Sequence, residues 1–116
     1  MVALLVLPQA YNPDEHGRRR NVPDEKFRQT AREIAKRFGG GVLWRFEDGA
    51  PTGYWWDRGF LYQDELAVIE VDIPGTPAAR TRLRQYARDV LLPRFQQEAI
   101  YIKLIGPVEV ELVTVR

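Results

Sequence analysis

The sequence has no cysteine, and this and other absences exclude several classes of protein. Without cysteine there is no disulfide scaffold, thiolate nucleophile, iron–sulfur cluster or cysteine-ligated zinc. The signatures GxxxxGK[ST], GxGxxG, HExxH and GxSxG are missing too, so nothing supports nucleotide hydrolysis, Rossmann cofactor binding, zinc proteolysis or a hydrolase elbow. No apolar run reaches the roughly eighteen residues that span a bilayer. We therefore expect no cofactor, no metal and no membrane partner.

A strong charge of one sign is also missing. The 116 residues include 17 Lys and Arg against 16 Asp and Glu, a formal charge of +1. Such a chain has no global attraction for nucleic acid, although a local basic patch can act where the acidic residues lie on another face. With 45% hydrophobic and 28% charged residues, the composition predicts one globular domain over residues 1–116, and we expect it to be cytoplasmic.

The first two elements follow from hydrophobic patterning. The apolar run Val2–Leu7 stops at Pro8 and has no basic leader before it, which predicts a buried strand rather than a signal peptide. After a polar loop, Asn21 is placed to cap a helix and Pro23 to occupy its first turn. The predicted inward stripe of this helix is Phe27, Ala31, Ile34 and Phe38, with a left-handed end at Gly39–Gly41.

The pattern then changes to the alternation of strands. In residues 42–47 the set predicted to face inward is Val42, Trp44 and Phe46, and in residues 66–73 it is Ala67, Ile69, Val71 and Ile73. A second helix follows, capped by Thr76, begun by Pro77 and ended near Pro93. Its predicted inward stripe is Leu83, Tyr86, Ala87, Val90 and Leu91.

Two further alternating runs, at 100–105 and 108–115, complete the order β-α-β-β-α-β-β. This order predicts a ferredoxin-like split β-α-β sandwich of the α+β class, with two helices on one face of an antiparallel sheet. It also predicts an extended β2-β3 hairpin and one added C-terminal strand. Such a superfold hosts many functions, so function has to be argued from particular residues.

The other face of the predicted sheet mixes apolar and charged side chains. Its predicted members are Leu43, Arg45 and Glu47 on one strand, Val68, Glu70 and Asp72 on the next, and Tyr101, Lys103 and Ile105 beyond the first strand. This surface is too apolar to be left to water. We expect a second subunit to cover it, with a homodimer favoured over a higher homo-oligomer, unless the C-terminal strand covers it instead.

The hairpin segment GYWWDRGFLYQDE, residues 53–65, has five aromatic and four charged residues around a tip at Asp57-Arg58-Gly59. Alternation places Tyr54 and Trp56 on one face and Trp55 on the other. Phe60 and Tyr62 are likewise opposed to Leu61. Because an isolated ribbon is marginally stable in water, we expect a partner to bury one side. The predicted binding residues are Tyr54, Trp55, Trp56, Tyr62 and Tyr101, and the partner is a second copy of the chain or a protein or small-molecule ligand.

Two polar groups are candidates for chemistry. The loop segment HGRRR contains the only histidine, His16, with Arg18, Arg19 and Arg20, a combination that binds phosphate and moves protons in RNA-cleaving sites. Its alternative is a solvated loop whose arginines meet nearby acids. Glu70 and Asp72 share one strand face and could form an acid–base or cation-binding pair, as a cofactor-free enzyme would need. Their alternative is cross-strand pairing with Arg45 and Lys103.

The leading hypothesis from the sequence is therefore a cytoplasmic homo-oligomeric module that binds through the open sheet face and the aromatic hairpin. An RNA-binding or phosphodiester-cleaving protein and a small-molecule enzyme stay open as alternatives.

Overall fold

The computed structural model describes residues 1–46 and 49–115, and Asp57 by its backbone alone. Five strands, three α-helical segments and one π-helical turn form in chain order. They are β1 (Val2–Pro8), α1 (Asp24–Phe38), β2 (Val42–Trp44), β3 (Thr52–Asp57), β4 (Phe60–Asp72), α2 (Pro77–Tyr86), a π-helical turn (Ala87–Leu91), α3 (Leu92–Arg94) and β5 (Tyr101–Ile105).

The sheet is antiparallel and is organised by the long strand β4. Its second half pairs with β1 on one side and with β2 on the other, while its first half pairs with β3, and β5 pairs with the far edge of β1. The strand order β2-β4-β1-β5, with both helices packed on one face, is the ferredoxin-like arrangement. The predicted α+β fold class is confirmed.

The core lies between the helices and one face of the sheet. The alternating set on β4 is buried as predicted, from Ala67 and Ile69 at 0% exposure to Ile73 at 4%. Phe27 and Ile34 of α1 are fully buried, and Ala31 and Phe38 pack partly buried against them. The predicted stripe of the second helix is likewise inward, with Leu83, Tyr86, Ala87 and Leu91 buried and Val90 partly so. Phe95 completes this core against the Phe27 ring, at 5.2 Å between centroids.

The helix ends follow local chemistry in two cases out of three. The Thr76 hydroxyl accepts a hydrogen bond from the Ala79 amide at 3.2 Å, so the predicted cap is confirmed. Gly39 ends α1 in the left-handed conformation with φ of 89°. The Asn21 cap was wrong, because Pro23 occupies the N-cap position without a side-chain hydrogen bond and Asn21 bridges Ala10 instead.

The predicted inward face of β2 was wrong. Register places Leu43 opposite Ile69 and Trp44 opposite Val68, and directly opposed residues share a face of the sheet. Leu43 therefore packs on the core, while Val42 and Trp44 lie on the open face, each 48% exposed.

Arg45, predicted for the open face, lies on the helix side. Its guanidinium stacks on the Phe27 ring at 4.3 Å and pairs with Asp24 at 3.2 Å, so its apolar stem covers the edge of the core. Glu47, the third residue of that predicted set, is outside the described residues.

The predicted C-terminal strand does not form in the single chain. Residues 107–115 take no strand conformation, and the last strand of the described chain is β5. Their alternating apolar side chains stay in solvent, with Leu112 90% exposed.

Candidate functional site: the aromatic arm and the groove at its base

The hairpin of β3 and residues 60–65 of β4 forms an arm that projects from the sheet. Trp55 pairs with Tyr62 and Asp57 with Phe60, which leaves Arg58 and Gly59 as a two-residue turn. Both turn residues have positive φ, 50° and 82°, as a type I′ hairpin turn requires. The predicted extended hairpin is confirmed, and the chain measures 57 Å along its longest axis against 31 and 23 Å across.

Both faces of the arm expose large apolar side chains. Tyr54 and Trp56 share one face with Leu61, and these three side chains are 61%, 74% and 56% exposed. Phe60 and Tyr62 lie on the other face and are also exposed. The alternation predicted from the sequence is therefore present, and more than half of each outer side chain meets solvent in the single chain.

Trp55 is the aromatic side chain of the arm that the domain itself holds. Its ring contacts the Tyr101 ring of β5 with centroids 5.5 Å apart, which joins the base of the arm to the open sheet face. The fold allows this because residue 53 is glycine. A Cβ at Gly53 would lie 2.8 Å from the Trp55 ring and 2.9 Å from the Leu66 side chain, far inside van der Waals contact.

A groove of about 750 Å³ lies beside Trp55, between the arm, the loop before α1 and the segment before β5. This volume is in the range that binds small molecules. Its aromatic wall is Trp55, Tyr62 and Tyr101, and its polar groups include Arg19, Asp64, Gln97 and Glu98. The groove thus combines flat apolar surfaces with a few hydrogen-bonding groups.

Arg19 is fixed at the rim of this groove. One terminal nitrogen contacts the Asp64 carboxylate at 2.5 Å, and its Nε donates to the Tyr11 carbonyl at 3.0 Å. The contact joins the loop before α1 to the arm across 45 positions of sequence. Arg19 and Asp64 therefore neutralise each other's charge and hold the groove walls together.

The other residues of the predicted anion site do not converge with Arg19. The His16 side chain is 72% exposed and lies 3.5 Å from the Glu15 carboxylate. Arg20 stacks on the Tyr11 ring at 5.2 Å, and Arg18 is exposed in the loop. His16 and the three arginines therefore do not form one site, and Arg19 alone among these four residues lines the groove.

Glu70 and Asp72 lie on the open sheet face among apolar neighbours. Leu4 lies directly opposite Glu70 on one side and Lys103 on the other, and Val42 flanks Glu70 on β2. The predicted partner Arg45 is on the helix side, so that pairing was wrong. Within residues 1–46 and 49–115, neither carboxylate forms an ion pair, and no group of three or more His, Asp or Glu side chains is placed to hold a metal ion.

The sequence reasoning missed a hydrogen-bonded clamp between the helices. The Arg94 guanidinium donates to both Glu33 carboxylate oxygens at 2.8 Å and to the Thr30 hydroxyl at 2.8 Å. The Tyr86 hydroxyl donates to the same carboxylate at 2.6 Å. These hydrogen bonds, led by those from Arg94, hold the pKa of Glu33 below its usual value, while burial and the Glu33 carboxylate raise the pKa of Tyr86.

Sequence patterning gave little sign of this clamp. In the sequence Arg94 begins the polar stretch RFQQE after Pro93, and its partner Glu33 lies 61 positions earlier, among the charged residues of α1. The clamp ties the end of the second helix to the first and so fixes the segment that leads into the groove.

The geometry defines a ferredoxin-like α+β domain with an exposed aromatic arm. No protein-family model matches the chain, and no curated protein matches its sequence. Among solved structures it is similar to the divalent cation tolerance protein (Cut A1) from Thermus thermophilus, with a TM-score of 0.63 and 13% sequence identity. The match covers 95% of this chain and 85% of that one. At this identity the similarity establishes the fold alone. No helix in the described part of the chain is long and apolar enough to cross a membrane.

Proposed function

We propose that the protein is a self-assembling binding module whose arm grips another copy of the chain. The observation that carries this proposal is the exposure of the arm on both faces. Trp55 at its base contacts the rest of the domain, whereas Trp56 and Leu61 are 74% and 56% exposed in the described part of the chain. A two-stranded ribbon gains little from its own cross-strand pairs, about 0.2 to 1 kcal/mol each, and a partner subunit is the simplest source of burial.

The surface area of the chain supports the same proposal. A compact monomer of 13.5 kDa is expected to expose about 6,500 Å², whereas this chain exposes 8368 Å². The excess of roughly 1,900 Å² on this one chain is more than twice the area of about 800 Å² that each partner buries in a standard protein–protein interface. The radius of gyration, 15.5 Å, also exceeds the value of about 13 Å for a compact chain of this length. Among the described residues, the large apolar side chains that are more than half exposed all belong to the arm or to residues 107–115.

The open sheet face and the C-terminal segment, residues 107–115, are the other proposed contact surfaces. Val42, Trp44 and Tyr101 expose about half of their surface on or beside that face. The C-terminal segment has the alternation of a strand, but none of the described strands pairs with it. Added to a sheet edge of a neighbouring copy, it would gain backbone hydrogen bonds and bury its apolar side. This is how the segment would satisfy its strand pattern.

The test uses Trp56 and Leu61, which lie on the arm face opposite Trp55, are mostly exposed and are not among the described core residues. We expect Trp56→Ala with Leu61→Ala to leave the fold intact and to shift the molecular mass toward that of the monomer. Light scattering after size exclusion, over micromolar concentrations, measures the mass, and far-UV circular dichroism checks the fold.

A matched control is Gln29→Ala with Gln85→Ala, two exposed residues of the helices, for which we expect the wild-type mass. A wild-type protein that is monomeric at all concentrations would refute the proposal. So would an arm variant that assembles as tightly as the wild type.

The groove beside Trp55 favours a second activity, the binding of a small planar molecule. Its three aromatic side chains offer stacking surfaces, and Arg19, Asp64 and Gln97 offer hydrogen bonds at its rim. The dye 8-anilinonaphthalene-1-sulfonate is a suitable probe. We expect Tyr62→Ala to weaken dye binding to the native protein. The same weakening in Trp56→Ala would place the dye on the opposite face of the arm, outside the groove.

A further inference from the structure

The charges of the chain are divided between its two layers, although they nearly cancel overall. The helix layer, residues 24–38 and 77–94, has ten Lys and Arg against four Asp and Glu, a formal charge of +6. The rest of the sequence has seven against twelve, which is −5. A nearly neutral total therefore conceals a basic layer and an acidic layer, and local charge of this kind is what attracts a polyanion.

All three acidic residues of α1 form ion pairs within the chain. Asp24 pairs with Arg28, Glu25 with Arg32, and Glu33 with Arg94 of α3. Apart from Lys26, which donates to a backbone carbonyl, six basic residues of the layer form no ion pair with any described residue, and the layer has one remaining acid, Asp89. The six are Lys36, Arg37, Arg80, Arg82, Arg84 and Arg88.

These six residues form what we call the basic patch, and part of it is held in place by stacking on aromatic rings. The Arg37 guanidinium lies over the Tyr86 ring at 4.7 Å, and Arg82 lies over the Phe38 ring at 5.1 Å while donating to the Arg37 carbonyl. Stacked guanidinium groups keep free N–H donors directed outward.

A second part of the patch forms a row along the helix. Arg80, Arg84 and Arg88 recur every four residues on the flank of the second helix opposite Arg82, and all three are exposed. Four residues rise about 6 Å along a helix, so the three side chains form a continuous basic row.

We infer that the arginine row of this basic patch, Arg80, Arg84 and Arg88, binds the phosphodiester backbone of duplex nucleic acid without reading its sequence. Arginine forks match phosphate oxygens, and the patch exposes no row of aromatic rings on which single-stranded bases would stack. A membrane surface fits less well, because the large apolar side chains of α2 face the core and none is available to enter a bilayer.

This inference is independent of the proposed assembly. The helices cover one face of the sheet and the proposed interface uses the other face and the arm, so the patch stays on the outside in either state. Assembly would bring several patches together and raise the apparent affinity, whereas the salt dependence of a single patch is a property of one chain.

The test is fluorescence anisotropy with a labelled B-DNA duplex of mixed sequence. If the three arginines of the row make the contacts, the wild-type affinity should fall about 40-fold between roughly 50 and 200 mM salt. Arg84→Gln with Arg88→Gln should reduce that fall to about three- to fourfold, because two phosphate contacts are lost. Arg28→Gln with Arg32→Gln removes the same charge from ion-paired positions and should keep the wild-type salt dependence. The arm variant Trp56→Ala with Leu61→Ala should keep it too, which separates this test from that of assembly.

Three results would overturn the inference: no binding at low salt, an unchanged salt dependence in the Arg84 and Arg88 variant, or tighter binding to single strands or to anionic phosphatidylserine vesicles than to the duplex. An RNA duplex in parallel shows which duplex is preferred, and binding to either supports the inference.

Discussion

Gly53→Ala is the sharpest test of how the arm is attached to the domain. Gly53 is buried at the base of β3, and its missing side chain makes room for the Trp55 ring. A Cβ there would lie 2.8 Å from Trp55 and 2.9 Å from Leu66, whereas ordinary contacts begin near 3.4 Å. Both contacting groups are side chains, so we expect the Trp55 ring to swing away and release its contact with Tyr101.

The size of the effect follows from three contributions. Overpacking at a buried position costs about 1–3 kcal/mol. Loss of the Trp55–Tyr101 ring contact costs about 0.5–1.5 kcal/mol, although it relieves part of the overpacking. Alanine regains about 0.5–1 kcal/mol over glycine in a strand. We therefore expect the free energy of unfolding to fall by about 1–2 kcal/mol and Tm to fall by roughly 4–10 °C.

Urea unfolding measures this loss, and the near-UV circular dichroism of the tryptophans reports the ring contact. Gly75→Ala is the matched control, because a Cβ there meets nothing within 4 Å, and it should leave stability unchanged or slightly raised. Adding Trp55→Leu to Gly53→Ala should restore part of the lost stability, since the clash is removed. A Gly53→Ala protein with wild-type stability and an unchanged tryptophan spectrum would refute this account of the arm.

Two further predictions concern the domain itself. Glu33→Gln should lower the free energy of unfolding at neutral pH by about 1–2 kcal/mol, because the charged hydrogen bonds from Arg94 are partly exposed. Because the pKa of Glu33 is lowered in the folded state, the stability difference between wild type and variant should be complete above the ordinary pKa of 4.5. It should disappear as the pH falls through the lowered pKa. Urea titrations that give the same difference at every pH would contradict this. Leu43→Ala should lower the free energy of unfolding by about 1–3 kcal/mol. Trp44→Ala should lower it less when both are measured in the monomeric arm variant, and the reverse order would show that the face of β2 is assigned wrongly.

Long periodic segments were predictable because many residues agree on one face. The stripe that begins at Phe27 and the alternation from Ala67 to Ile73 each repeat over several turns or pleats, so a single exception would not change the assignment. Thr76 followed by Pro77 was predictable for a different reason, since the cap is complete within four residues. These local signals were enough to fix the order of elements and hence the fold class.

Contacts between distant residues were not predictable in the same way. The contact of Arg19 with Asp64 and the clamp of Glu33 with Arg94 join positions far apart in sequence, and each residue taken alone resembles an ordinary surface charge. The predicted histidine and arginine cluster illustrates the opposite error. Neighbours in a loop need not point the same way, and His16, Arg19 and Arg20 each meet a different group.

The remaining errors share a physical cause. Alternation predicted that Trp44 is buried and that residues 108–115 form a strand. In the single chain Trp44 is about half exposed and residues 108–115 form no strand. A pattern of apolar residues reflects burial in the final state of a protein, including burial by another copy, because the free energy of removing apolar surface from water is the same for either. Trp44, the C-terminal segment and the arm face with Trp56 and Leu61 are the places where the pattern predicts burial that the described part of one chain does not supply. The surfaces where the apolar pattern and the single chain disagree are thus the surfaces that we propose for self-assembly.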